Sequence, residues 1–179
     1  MTTNHIIKEN NNNRHNWLTF IIFIACYLLL DYLYFKIPVD LFVNVIYFHG
    51  VVQVCADVIN ILAPVEQVIA RQNHLISARA DLEIVRGCDG AGVVFLMMSA
   101  ILAFPAKWKQ KLIGMLLGFG LIYFINLVRI IALYFVIAYH PDWFSLVHTY
   151  LAPTFMVIAG VAYFAWWAFG SADQINEPA

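Results

Sequence analysis

Residues 112–139 read LIGMLLGFGLIYFINLVRIIALYFVIAY and contain one charged side chain, Arg129. The segment is long and apolar enough to cross a bilayer as a helix. A charged side chain at membrane depth costs about 2.5–3.5 kcal/mol on insertion scales, so it usually faces the interior of a helix bundle and serves a function. The sequence therefore predicts a membrane-embedded bundle in which Arg129 faces a negative partner or a polar cavity.

The composition of the whole chain is that of an integral membrane protein. Of its 179 residues, 63% are hydrophobic and 12% are charged, whereas soluble domains are about half apolar and a quarter charged. The net charge of −1 argues against nucleic acid as a partner, because nucleic-acid phosphates are bound by basic surfaces. The three cysteines, Cys26, Cys55 and Cys88, cannot form a complete disulfide framework, since one always stays unpaired.

Hydropathy predicts an all-α integral membrane helix bundle with about four transmembrane helices. The polar residues 1–16 predict a disordered cytoplasmic tail, residues 17–170 a single membrane-embedded domain, and residues 171–179 a C-terminal tail. The four expected spans cover residues 17–35, 90–106, 112–139 and 146–169.

Residues 40–63 form a fifth apolar region of a different kind. Their polar side chains recur every three to five positions, which predicts one polar stripe on a helix. This pattern favours an interfacial or cavity-lining helix over a lipid-facing span. The stripe consists of Asn44, His49, Gln53, Asp57 and Asn60.

Basic residues predict the orientation of the bundle. Lys107, Lys109 and Lys111 lie in one short loop, and Lys8 and Arg14 precede the first span, so both regions are expected in the cytoplasm. They lie on the same side if the region 40–63 does not cross the membrane, which is the favoured arrangement. If that region does cross, the two basic regions fall on opposite sides.

The polar region between Pro64 and Cys88 is then extracytoplasmic. Its partly alternating pattern predicts a small hairpin. It carries Arg71, Arg79 and Arg86, which either contact an acidic group of a substrate or are solvated loop charges.

Three chemically distinctive side chains are expected at the outer face of the bundle. Cys88 precedes the second predicted span, His148 begins the last one, and Arg129 lies about 15 Å below the outer end of its helix at 1.5 Å per residue. A long side chain can extend towards the interface and relieve this difference in depth. A cationic neighbour and a helix N-terminus favour the reactive thiolate of a cysteine, and a histidine can transfer protons. The sequence thus predicts acyl transfer at a peptide bond, with Gly87 and Gly90 leaving room for a substrate backbone.

Each of these residues also has a structural interpretation. Arg129 can hold the bundle together by pairing with Asp89 or Asp57. Cys26 and Cys55 are expected to be small buried side chains. A metal site has little support, because Cys88 and His148 lack a second ligand at short spacing, and no cofactor is expected.

Three ordered segments, GCDGAG, NLVRI and VHTYLAP, resemble the core of the exosortase/archaeosortase family of membrane cysteine transpeptidases. The resemblance covers about half of the chain, residues 82–169. It implies that Cys88 is the nucleophile, that Arg129 activates it or binds the oxyanion, and that His148 is the acid and base. Asn126, one turn before Arg129, is implied to be a supporting polar residue.

The resemblance also implies a substrate class and a location. Such enzymes cleave exported, membrane-tethered proteins near a C-terminal sorting signal, which consists of a short motif such as Pro-Glu-Pro, a transmembrane helix and a basic cluster. The bacterial members are often associated with exopolysaccharide production. We therefore expect a multi-pass inner-membrane endopeptidase or transpeptidase whose site faces the periplasm or cell exterior. The alternative is a non-enzymatic scaffold or assembly subunit of an export or exopolysaccharide system. The substrate, the acceptor and the oligomeric state stay open.

Overall fold

A computed structural model describes residues 2–38, 40, 42–87 and 89–176, and the side chains of residues 17–38, 40, 43, 47–87 and 89–171. The predicted tails at residues 1–16 and 171–179 lie almost entirely outside these side chains and stay predictions. The helices are α1 (Thr2–Lys36), a π-helix (Phe42–Val52), α2 (Gln53–Leu62), α3 (Ala91–Ala103), α4 (Trp108–Tyr139), the short α5 (Phe144–Leu146), a second π-helix (Val147–Leu151) and α6 (Ala152–Asn176).

The protein is a helical membrane protein, as its sequence predicts. Within the described residues, three helical segments are long and apolar enough to cross a bilayer: Trp17–Lys36, Trp108–Tyr139 and Pro141–Ser171. The fourth expected span contains α3, which has 13 residues and covers only about 20 Å at 1.5 Å per residue. The count of four spans therefore stays a prediction.

Helix α4 is much longer than the apolar core of a bilayer. Its 32 residues extend for about 48 Å, compared with a core of roughly 30 Å. We call the Trp108 end of α4 the inner end and the Tyr139 end the outer end, after the orientation that the lysines predict. The inner end lies beside α3 and α6, where the Tyr163 hydroxyl donates to the Gly114 carbonyl at 2.7 Å. Its outer third instead packs Ile130, Leu133 and Tyr134 into a cluster with residues of the polar region. The outer end of α4 is thus covered by protein.

The region predicted as an amphipathic helix consists of the first π-helix and α2. Near one end, the Tyr47 hydroxyl donates to the Val85 carbonyl at 3.4 Å. Near the other, the Asn60 amide binds both backbone groups of Val68, at 2.8 and 2.7 Å. Both ends therefore contact the region between α2 and α3, which supports a helix that does not cross. Of its predicted polar stripe, the Asn44 side chain lies outside the described residues.

The predicted hairpin is a three-stranded antiparallel sheet in the order β1 (Ile69–Arg71), β2 (His74–Ile76) and β3 (Asp81–Glu83). The third strand pairs because the chain turns again at residues 77–80, where Ser77 Oγ accepts from the Arg79 and Ala80 amides at 3.1 Å. Leu75 and Leu82 are buried against α4. The sheet therefore forms a cap over the outer end of the long helix.

Candidate active site

The segment between β3 and α3 carries the predicted nucleophile. Cys88 lies outside the described residues, so its neighbours define the geometry of the segment. Gly87 and Gly90 have φ values of 93° and 78°, a left-handed conformation that favours glycine. The Asp89 carboxylate oxygen Oδ1 accepts from the Gly87 amide at 3.2 Å and from the Ala91 amide at 3.3 Å. Asp89 thus ties the two sides of the cysteine-bearing segment together.

A second set of contacts anchors this segment to α1. The Tyr34 hydroxyl donates to Asp89 Oδ2 at 2.6 Å. Arg86 places its guanidinium 5.5 Å from the Tyr34 ring centroid and donates to the Ile37 carbonyl at 2.7 Å. Asp89, proposed as one carboxylate that could pair with Arg129, therefore has a role in building the loop. Asp57, the other, accepts from Gln53 at 2.9 Å.

Gly90 brings α3, α4 and α6 close together. A Cβ atom at this position would lie 2.8 Å from Met156 Cε and 3.3 Å from Asn126 Oδ1, so both side chains would have to shift to accept it. Asn126 is only 2% exposed, and its Oδ1 has no hydrogen-bond partner among the described residues. A buried polar atom of this kind needs an explanation, and a functional site is one of the usual ones. The structure therefore brings together Gly90 and Asn126, both predicted as supporting residues.

Arg129 and His148 are the next two predicted site residues in the chain. Arg129 lies three residues after Asn126, on the same face of α4. Both side chains are half-buried, and the Nε atom of Arg129 and the Nδ1 atom of His148 are fully buried. The imidazole stacks on the Phe144 ring at 5.2 Å, and the Arg129 charge lies close enough to act on it electrostatically. The charge of Arg129 therefore lies within electrostatic range of the His148 imidazole.

The predicted difference in depth between Arg129 and the cysteine segment is not observed. The prediction took the depth of Arg129 from the outer end of α4 and placed that end at the membrane surface. In the structure, Gly90 at the start of α3 contacts Asn126, so Arg129 lies one turn outward of that level. The Arg129 side chain therefore does not have to extend towards the interface to reach the level of Gly90. The residues of α4 beyond Arg129 pack against the sheet.

Arg129 also forms part of the wall of an apolar cavity between α4 and α6. This cavity has a volume of about 410 Å³, and its other walls include Val147, Leu151 and Phe155. An apolar surrounding strengthens the electrostatic effect of a guanidinium on nearby charge. The arrangement can stabilise a thiolate or an oxyanion beside Gly90.

One buried carboxylate, that of Glu66, was not predicted from the sequence. This residue is 4% exposed and accepts hydrogen bonds from the hydroxyls of Tyr139 and Tyr134, the latter at 3.0 Å. Tyr134 is also 2.8 Å from Ser77 Oγ, and Arg79 Nε lies 3.7 Å from Glu66. The Tyr139 hydrogen bond, with smaller contributions from Tyr134 and Arg79, holds the pKa of Glu66 below its usual range although burial opposes this. Glu66 joins the sheet to the outer end of α4.

The three arginines predicted as weak substrate contacts differ in their surroundings. Arg79 pairs with Glu66 and lies 5.3 Å from the Tyr139 ring centroid. Arg86 is bound to Ile37 and Tyr34, as described above. Arg71 is exposed on β1. Arg79 and Arg86 thus have intramolecular partners, and a substrate role for any of the three stays a prediction.

Comparison with known families identifies the family of this chain. Residues 14–165 match the family described as Transmembrane exosortase (Exosortase_EpsH). The chain belongs to the transmembrane exosortase family. The match extends beyond the segments that carried the resemblance and includes most of α1 and the sheet of this exosortase. Searches against curated proteins and against solved structures found no significant match.

The described part of this exosortase contains no cluster of three or more His, Cys, Asp or Glu side chains that could hold a metal ion.

Proposed function

We propose that this exosortase is a cysteine endopeptidase or transpeptidase that cleaves the C-terminal sorting tail of exported proteins. The observation that carries the proposal is the contact of Asn126 with the Gly90 position, with Arg129 one turn further along α4 and its charge within electrostatic range of His148. Gly90 is only two residues from Cys88 along the chain. Acyl transfer requires a nucleophile such as a thiol, a proton-transfer group such as an imidazole, and a positive group such as a guanidinium that stabilises the oxyanion.

The proposed reaction has two steps. The Cys88 thiolate attacks the carbonyl carbon of the scissile peptide bond, and Arg129 stabilises the negative charge on the carbonyl oxygen. His148 donates a proton to the leaving amine as the tetrahedral intermediate collapses to a thioester. In the second step, His148 accepts a proton from the incoming nucleophile, which attacks the thioester and releases the Cys88 thiolate. Water as the nucleophile gives hydrolysis, and an amine gives transpeptidation.

Asn126 has a supporting part in this proposal. Its buried Oδ1 atom lies against the position of Gly90 and has no partner among the described residues. A substrate N–H group that reaches this oxygen would donate a hydrogen bond to it. Binding would then remove the free-energy cost of leaving a buried acceptor without a donor. Asn126 therefore orients the substrate backbone rather than reacting with it.

The proposed location is the inner membrane, with the site at its outer face. The lysine loop between α3 and α4 is expected in the cytoplasm by the positive-inside tendency. The sheet and the cysteine-bearing segment lie at the opposite end of α3. A substrate exported through the membrane would present its sorting motif on that side.

Processing of a tailed reporter tests the proposal. Exported reporters that end in candidate sorting tails are co-expressed with the wild type, with Cys88→Ala and with Cys26→Ala, and reporter cleavage is followed by its change in mass. Cys26 is a half-buried residue of α1 and serves as the matched control. We expect Cys88→Ala to lower the cleavage rate on the order of 10³-fold or more, as removal of a nucleophile does, and Cys26→Ala to leave it unchanged.

A covalent adduct provides a second measurement. His148→Ala slows resolution of the thioester, so the reporter should remain attached to the enzyme through Cys88. Cleavage that continues in Cys88→Ala would contradict the proposed mechanism. A non-enzymatic scaffold would keep its cellular function in that variant.

A further inference from the structure

A large apolar groove has a lining that shares no residue with the Arg129 cavity. It has a volume of about 710 Å³, within the range of ligand sites in proteins. Its walls come from α1, the first π-helix, α3 and α4. The side chains that matter most here are Leu33, Tyr34, Tyr47, Asp89, Val94 and Phe119.

The groove begins at the candidate active site. Asp89 and Ala91, which flank Gly90 in the chain, both line it. Ile122 also lines it, and this residue is one turn inward of Asn126 on the same face of α4. From Asn126, the wall continues inward to Phe119, a distance of about 10 Å along the helix. The groove therefore leads from the cysteine-bearing segment towards the lysine loop.

The polarity of the groove changes along its length. At the outer end lie the Asp89 carboxylate and the hydroxyl groups of Tyr34 and Tyr47, which are hydrogen bonded to one another. Further inward the wall is apolar, with Val94 and Phe119. An occupant that fits this gradient is polar near the cysteine-bearing segment and apolar below it.

Part of the groove wall is backbone that carries no side chain. Gly50 lines it, and a Cβ atom at Gly50 would meet no atom within 4 Å among the described residues. The Gly50 carbonyl accepts from the Tyr123 hydroxyl, so this part of the wall is held in place. In membranes, small residues at a surface let a second helix backbone approach closely.

We propose that the groove docks the apolar helix of the sorting tail, immediately C-terminal to the scissile bond. This inference rests on the proposed function. A polypeptide that crosses the bilayer must satisfy its backbone hydrogen bonds internally and therefore enters the groove as a helix. The cleaved bond then lies at the polar outer end, and the helix continues inward along α1 and α4. One face of the helix packs in the groove while the other faces lipid.

Filling the groove tests its role in processing. Gly50→Phe places a bulky side chain in the open space, and Gly120→Phe adds the same bulk on the exposed side of α4, where a Cβ atom also meets nothing within 4 Å among the described residues. We expect Gly50→Phe to slow cleavage of the tailed reporter by about tenfold or more, in line with the loss of a helix-binding surface worth about 1.4 kcal/mol. Gly120→Phe should cleave at the wild-type rate. Equal rates for both variants would overturn the proposal.

Photocrosslinking measures docking without catalysis. A benzophenone amino acid is introduced at Leu33 in the groove, at Leu28 on another face of α1, or at Phe155 in the Arg129 cavity, each in the Cys88→Ala background. The probe is a reporter with a candidate sorting tail. We expect a crosslink from Leu33 to the apolar helix of the reporter, and far less from Leu28 and Phe155.

The crosslinks separate failure of this proposal from failure of the proposed function. Crosslinks from Phe155 rather than Leu33, or crosslinks from Leu33 to lipid alone, would overturn the groove assignment even if Cys88 is the nucleophile. A Leu33 crosslink to the tail would support docking even if Cys88→Ala still allowed cleavage.

Discussion

Arg129 is half-buried on the outer part of α4 and acts electrostatically on His148. Its charge is costly at membrane depth, but the helix positions it one turn from Asn126, in the wall of an apolar cavity. There the planar guanidinium can present several donors in a fixed geometry. An ammonium group carries the same charge but lacks that planar arrangement.

We therefore expect Arg129→Lys to lower the cleavage rate of the tailed reporter on the order of 10²-fold, comparable to the loss of an oxyanion donor. The amount of enzyme in the membrane should stay close to that of the wild type, because the charge is kept. Lys109→Arg, an exchange at an exposed position in the first turn of α4, is the control and should be silent. If Arg129→Lys cleaves at the wild-type rate, the arginine is a generic counter-charge.

At the scale of elements, the cap formed by the sheet determines where the outer end of α4 lies. Glu66 is the main polar connection, because it binds two tyrosines of α4 and pairs with Arg79 before β3. Leu75 and Leu82 add apolar contacts with the same helix. The cap therefore positions α4, and through it Arg129.

The Glu66 contacts predict a dependence on pH. The pKa of this carboxyl is lowered in the folded protein, so its stabilising contribution is present above the ordinary glutamate pKa of about 4.3 and is lost as the pH falls through the folded value. In the wild type, amide exchange at residues 69–83, corrected for intrinsic rates, should accelerate below about pH 4. Glu66→Gln should exchange several-fold faster at neutral pH and change less on acidification.

The contact between His74 and Asp81 in the same sheet requires a separate control variant. His74 Nδ1 lies 2.8 Å from Asp81 Oδ1, a contact that joins β2 to β3. His74→Gln removes the imidazole from this contact and should leave the change below about pH 4 intact. If the acid-dependent change disappears in His74→Gln and persists in Glu66→Gln, the assignment to Glu66 is wrong.

For the whole molecule, the prediction concerns sidedness. Arg71 in the sheet and Lys109 in the first turn of α4 are both exposed. We expect them on opposite sides of the membrane. In a background without the native cysteines, Arg71→Cys should react with a membrane-impermeant maleimide added to cells with a permeable outer envelope. Lys109→Cys should react only after the inner membrane is opened. Labelling of both positions from the same side would contradict the proposed topology.

Much of this architecture could be predicted because it depends on local patterns. Apolar segments of bilayer length identify spans, and lysines identify a loop. The third strand, by contrast, depends on the turn at Ser77. The hydroxyl of Ser77 accepts hydrogen bonds from two backbone amides, and a short polar sequence does not specify this turn. The role of Glu66 also escaped prediction, because its tyrosine partners are 68 and 73 residues away in the chain.

The sequence by itself determined that this is a membrane protein of the transmembrane exosortase family, since hydropathy and ordered motifs are properties of the chain. It also singled out Arg129 by its energetic cost. Only the tertiary structure decided that Asn126 contacts the Gly90 position, with Arg129 one turn outward of it. That arrangement depends on how far α4 extends beyond α3 and on the protein cap over its outer end, and packing between distant segments sets both.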